Sequence, residues 1–304
     1  MPSDILENLI KRAVHESDGE LHNRIMFGTL ARKKVWFVTK DGVDAQRGKN
    51  WGSAKLTVQA AVDAMSAGDV LFVGPGEYDE AVTIAPAKSN IIIACPFGRG
   101  SAFIAPSAAN STAVTNNADD VSVFNIGMDG DGTGSGFVNT GRRMRAKGCK
   151  IEGGTVGFKA TLGTDAQITA GTKGKGDDCW LHDCEIAWNT KGVEIVASDY
   201  GAVTQLRFRD CVFHDNTAAD FEESGGSVDI RFRDLDIGRC LFNRQEDGTE
   251  PTAYILLSDD NGNKGVVRGC HFPTALAGGK NLVSTGLIWH GNFHTGGLST
   301  GQPS

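Results

Sequence analysis

Several things are scarce in this 304-residue chain, and each scarcity removes a class of protein. No apolar run approaches the roughly 20 residues of a membrane-spanning helix, so no membrane insertion is expected. Positive charge is in deficit: 30 Lys and Arg against 37 Asp and Glu leave −7. No basic stripe is available to release counterions from a nucleic acid, so no nucleic-acid partner is expected. The cluster Arg142-Arg143-Met144-Arg145 reads as solvated strand edge. The start, Met1 to Glu7, lacks the apolar core of an export leader, which implies a reducing cytoplasm as the place of synthesis. Proline is sparse, eight residues against forty glycines. Glycine-rich stretches such as Asp129-Gly130-Asp131-Gly132-Thr133-Gly134 suit a chain with many tight corners.

The seven cysteines show neither paired metal-site spacing nor a disulfide framework. Cys179 and Cys184 have no second pair to complete a zinc site, and no metal or cofactor is implied. Five of the seven instead occupy one position in a returning phrase, apolar-x-x-Cys-x-apolar. It occurs around Cys149, Cys184, Cys211, Cys240 and Cys270, with looser copies around Cys95, Ile126 and Asn292. The centres lie 22 to 35 residues apart, a period that signals a solenoid. The residue before the centre is mostly Gly, Asp or Asn, types that tolerate a left-handed backbone, so a sharp bend between two short strands fits there. Apolar residues flank the bend and charged ones alternate with them, as when one strand face points inward. Stacked turns would place like above like about 4.8 Å apart, turning the five cysteines into a ladder of buried free thiols. The fold expected is a right-handed parallel β-helix of about seven to eight coils, over residues 35–294.

Residues 3–16 read as a helix, with Ile5, Leu6, Leu9, Ile10, Ala13 and Val14 recurring at three and four. Ser17-Asp18-Gly19-Glu20 has the form of a capping box opening a second helix to about Phe27. This 1–34 arm either packs on the solenoid end or docks the chain to another subunit. Leu56 to Ala67 reads as a helix with Val58, Ala61, Val62 and Met65 on one side, ended by Gly68. A solenoid needs its first coil covered, and this helix is the expected lid. The tail 295–304 reads as loose or held by a neighbour.

Leu56 to Ala64 followed by Gly74-Pro75-Gly76-Glu77-Tyr78 to Ile84 resembles the opening of pectin methylesterases. It is equally similar to the wider pectate-lyase-like superfamily of β-helices, which includes many phage virion proteins. The resemblance covers about thirty residues and implies capped first coils. It does not carry the esterase activity. That family has a nucleophilic Asp within Gly-Thr-Val-Asp-Phe, whereas here Gly154-Thr155-Val156-Gly157-Phe158 puts Gly157 at that place, and the family's Gln-Asp-Thr segment is absent. A covalent route without its carboxylate has no chemistry to run on.

Other catalysis on such a scaffold needs paired carboxyls, or a base with a charge stabiliser. Coil alignment offers His182 and Asp183 above Arg209 and Asp210, and Ala187 and Trp188 above His214 and Asp215. The candidates are therefore His182, Asp183, Asp210, His214 and Asp215, with Asp183 and Asp210, beside the bend, read as caps on backbone amides rather than as bases. Asn189 and Asn216 align as scaffold amides that can bond from coil to coil. Trp180, Trp188 and Trp289 could stack on sugar rings, although Trp289 falls at a core position. Three functions follow. The first is a structural bacteriophage virion component, of tail-spike, fibre or appendage type, anchored to other virion proteins through the arm, trimeric by family habit and able to contact host glycan. The second is a polysaccharide lyase or glycoside hydrolase. The third is a surface adhesin.

Overall fold

The computed structural model describes residues 34–161, 178–196, 202–203, 205–224, 231–243, 251–257, 264–273, 281–282, 287–294 and 297–299. The chain winds through three parallel sheets. The first runs from Val35–Val38 through strands such as Arg145–Lys147, Trp180–His182 and Arg207–Arg209 to Leu287–His290. The second begins at Gly76–Tyr78 and reaches Leu241–Phe242, and the third begins at Val82–Ile84 and reaches Asn281–Leu282. Every coil visits the sheets in that order, giving seven complete three-strand coils among the described residues. The path is a right-handed parallel β-helix, the hand taken by nearly all crossovers between parallel strands.

The bend between the first and second sheets sets the coil geometry. Its two residues are a left-handed one and an inward-pointing one. Asn125, Gly148, Asp183, Asp210, Arg239, Gly269 and Gly291 all have φ between 53° and 63°, as the sequence pattern requires. The next residue is then aimed into the core. Cys149, Cys184, Cys211, Cys240 and Cys270 sit there, fully buried and unpaired by disulfides. Each thiol reaches the carbonyl of the inward residue one coil earlier: Val123, Ala146, Leu181, Phe208 and Ile237, at 3.5–3.7 Å. A cysteine there is apolar enough for the core and still satisfies a weak donor. Burial pushes the Cys149 and Cys211 thiols well above their ordinary values.

One register differs from the sequence expectation. Cys95 does not stand in the thiol column: Ile126 pairs with Ala102, and Cys95 instead opens an inserted loop of residues 95–101. The local phrase around Cys95 matches the others, but the chain leaves the ladder there and re-enters it seven residues later.

Aromatic residues stack through the core under the second sheet. Phe213 and Phe242 lie 4.9 Å apart at 8°, and Phe242 and Phe272 lie 4.7 Å apart at 7°. Phe242→Leu keeps the side chain apolar but removes both stacked contacts and the edge contact with Tyr254, and should cost about 1–2 kcal/mol in a guanidinium melt.

Helix α1, Val58–Ala64, closes the first coil and buries Val58, Ala61 and Val62. Thr57 caps it by accepting from the Ala60 N–H, and the Glu80 carboxylate accepts from Val58 and Gln59 at 2.7 and 2.8 Å. The helix is shorter than the expected 56–67. Met65 is already extended, and Asp69 takes the Ser66 N–H at 2.9 Å while also accepting from the Trp36 indole at 2.9 Å. That carboxylate pulls the chain out of helix three residues before Gly68. At the other end, Gly297–Ser299, expected in a loose tail, forms an antiparallel strand with Asn292–His294. The arm residues Ile5, Leu6, Leu9, Ile10, Ala13 and Val14 lie outside the described residues.

Candidate functional site

Outward side chains of successive coils fall into rows, and three charged groups result. The first lies along the bend. His182 Nε2 is 2.9 Å from Asp210 Oδ2, and Arg239 forks onto both Asp210 oxygens at 2.7 Å. The Arg239 guanidinium, with smaller help from His182, holds the Asp210 carboxyl below its ordinary value. Trp180 stacks on His182 at 5.2 Å. Asp183 accepts from Arg99 at 2.5 Å. Among the described residues neither acid caps a backbone amide, contrary to the reading of the sequence. Their left-handed positions point the carboxylates sideways along the row, where cations of other coils reach them.

The second group lies on the third sheet. Glu194 is buried and accepts from Lys191 at 2.7 Å, Ser224 at 2.6 Å and Lys159 at 2.9 Å. Burial alone would raise its pKa, but these three donors outweigh that and bring it to about 2. Lys191 also holds Glu222 at 2.9 Å. A carboxylate so firmly ionised and shared is a clamp between coils and a poor proton donor.

The third group is on the second sheet, where half-buried charges surround one exposed ring. Lys150, Glu185 and Val212 form one row, and Glu152, Ala187 and His214 the next. Lys150 Nζ is 2.6 Å from Glu152 and 4.0 Å from Glu185. His214 is held at Nδ1 by Asp215 at 2.6 Å and faces Glu185 at 3.6 Å through Nε2. Arg99 arrives from the 95–101 loop, 3.9 Å from Glu185. At the corner stands Trp188, 44% exposed, with Lys150 Nζ 4.8 Å from its ring centroid and His214 edge-on at 4.9 Å. Trp188 has φ of +54°, where the neighbouring coils have Gly153 and Asp215. A bulky residue in that region costs about 1–2 kcal/mol.

The five sequence candidates thus divide. His182 and Asp210 lock the bend together, Asp183 ties it to the 95–101 loop, and only His214 and Asp215 join the group around Trp188. Sequence reasoning missed Lys150, Glu152, Glu185 and Arg99. Coil alignment places the first three in outward rows with His214, but Arg99 reaches Asp183 across 84 residues and leaves no local signal. Of the tryptophans, Trp289 is core and Trp188 is surface. The residue replacing the esterase nucleophile, Gly157, is buried, and a Cβ there would lie 2.7 Å from the Gly192 carbonyl and 2.8 Å from the Asn189 amide.

No family model matches the chain, and no curated protein matches it. Solved structures do. A pectate lyase, Pel9A, superposes with a TM-score of 0.64 at 12% identity, over 86% of this chain and 69% of that one. YbhC from Escherichia coli gives 0.53 at 13%, covering 86% and 85%. A pectin methylesterase from carrot gives 0.51 at 14%, covering 88% and 84%. At such identities the likeness speaks for architecture alone: the chain has the right-handed parallel β-helix fold of pectate-lyase-like proteins.

Proposed function

We propose that this chain is a structural component of a bacteriophage virion, a stiff β-helix of tail-spike, fibre or appendage type. Segment 1–34 would attach it to other virion proteins through Ile5, Leu6, Leu9, Ile10, Ala13 and Val14. Its outer surface would contact host glycan, and trimerisation is part of the proposal. The observation that carries the structural reading is how the charged side chains are used. Arg142 with Asp119, Arg143 with Asp120, Arg145 with Asp178, Arg239 with Asp210, Lys159 with Glu194 and Lys191 with Glu222 join one coil to the next. The arginines at 142 and 143 are exposed, as read from sequence, and with Arg145 they belong to these rails. Such pairing stiffens a column whose repeats touch only their neighbours.

Deleting residues 1–34 should abolish incorporation into particles, read by mass spectrometry of purified virions, while circular dichroism still reports the folded solenoid. Normal incorporation of the truncated chain would remove the attachment role. A second reading, a polysaccharide depolymerase, draws on one observation: His214 oriented by Asp215 and facing Glu185 resembles a positioned base. The solved neighbours named for pectate and pectin chemistry are compatible with it. Release of reducing ends from polysaccharide by the purified chain, lost in His214→Asn, would decide for that reading.

A further inference from the structure

We propose that Trp188 and the side chains around it form a binding site for a neutral pyranose unit of a polysaccharide. The inference rests on the reading of the outer surface as glycan-contacting, and it names the place and the ligand class.

Three observations converge on the corner between the second and third sheets. The first is the ring itself. Trp188 is the most exposed of the large aromatic groups flanking the charged patch, and an indole face offers the C–H faces of a sugar a flat apolar platform. The second is its backbone. The equivalent positions one coil earlier and one coil later are Gly153 and Asp215, residue types that take a left-handed conformation readily, with φ of +74° and +54°. Trp188 takes +54° without that tolerance. Strain held at a surface corner, where glycine would serve the fold better, points to a task outside the fold. The third is the ring's surroundings. Lys150 and His214 pack against the indole, which fixes its orientation before any ligand arrives.

The charges beside the platform select the ligand class. Glu152, Glu185 and Asp215 contribute three carboxylates, while Lys150 and Arg99 contribute two cations, both already engaged by acids. Carboxylates in such a position accept from sugar hydroxyls, and Lys150 can donate to one. An anionic sugar would face like charge and would have to take the cations from existing pairs. The site therefore fits a neutral hexose, in contrast to the acidic chains implied by the name pectate lyase.

The test uses the full-length chain in affinity electrophoresis through gels containing dextran, mannan or galactan, with polygalacturonate as the acidic control. At least one neutral polymer should retard the wild type, polygalacturonate should not, and Trp188→Gly should weaken the neutral interaction at least tenfold. Trp188→Phe, which keeps a ring, should retain part of it. The glycine variant should melt at or above the wild-type temperature, because the left-handed strain is relieved. The proposal is overturned if no neutral polymer retards the chain. It is equally overturned if Trp188→Gly, folded by circular dichroism, is retarded as before, or if polygalacturonate binds in a Trp188-dependent way. Because the isolated chain is assayed, a negative result leaves the particle-incorporation experiment to stand or fall alone.

Discussion

Asp220→Asn should raise the melting temperature at pH 8 by about 5–10 °C and lower it slightly at pH 4, so that the two stability curves cross. Asp220 lies fully buried in the strand Ala219–Ser224. One oxygen accepts from Asn216 Nδ2 at 2.8 Å, and the other has no hydrogen-bond partner. Burial pushes the carboxyl up to about 8, Asp215 adds to the rise, and the Asn216 amide opposes it. The folded state therefore keeps a proton that the unfolded chain releases near pH 4. Where the folded state binds more protons, stability falls as pH rises, here by about 1.4 kcal/mol per unit across the window from about 4 to about 8. The full loss is on the order of 5 kcal/mol, and it is complete once pH exceeds the folded value. Asparagine cannot ionise, so it escapes this loss, and its unpaired amide gives back roughly 1 kcal/mol at every pH. Thermal melts followed by circular dichroism from pH 4 to 9 measure the crossing. A constant difference across that range would show that Asp220 does not titrate in the folded chain.

Restoring the carboxylate that pectin methylesterases carry should unfold the solenoid without creating an esterase. A side chain at position 157 would meet the Gly192 carbonyl, the Asn189 amide and Ile186, all within 3.0 Å of its Cβ. The Gly192 oxygen is backbone. Asn189 is anchored by the Ala187 carbonyl at 2.7 Å and by Asn216 at 3.1 Å, so neither neighbour can withdraw cheaply. Gly157→Ala should cost about 1–3 kcal/mol from overpacking. Gly157→Asp adds a charge at this buried position, against the Gly192 carbonyl and Ile186, and should exceed about 5 kcal/mol, enough to leave no cooperative transition. Soluble expression and a melting curve report the result. A folded variant that cleaves a methyl ester would mean that the start of the strand Val156–Thr161 can move outward.

The bend was readable because its chemistry is local. A left-handed residue followed by an inward one dictates residue types two positions wide, and Asp183, Asp210 and Gly148 carry that signature wherever it occurs. The asparagine scaffold was readable for the same reason: Asn189 and Asn216 meet at 3.1 Å, as their matching turns implied. What the pattern does not record is where the chain rejoins the column after leaving it. Cys95 therefore looked like Cys149, although the ladder resumes at Ala102. The end of α1 was hidden similarly, since it is set by Asp69 and not by the glycine beyond it. The group around Trp188 was half legible. His214 and Asp215 stand out by type, whereas Glu185 and Lys150 are ordinary outward charges until Arg99 and Trp188 are placed beside them.

The backward run at Gly297–Ser299 has a bearing on how many molecules can share one axis. Asn292–His294 ends the second-sheet row, and any newcomer wishing to prolong that row in the same direction would need its free amides and carbonyls. A strand of opposite sense already occupies them. Strand addition is thereby discouraged on this flank, as other proteins discourage it with bulges or lysines.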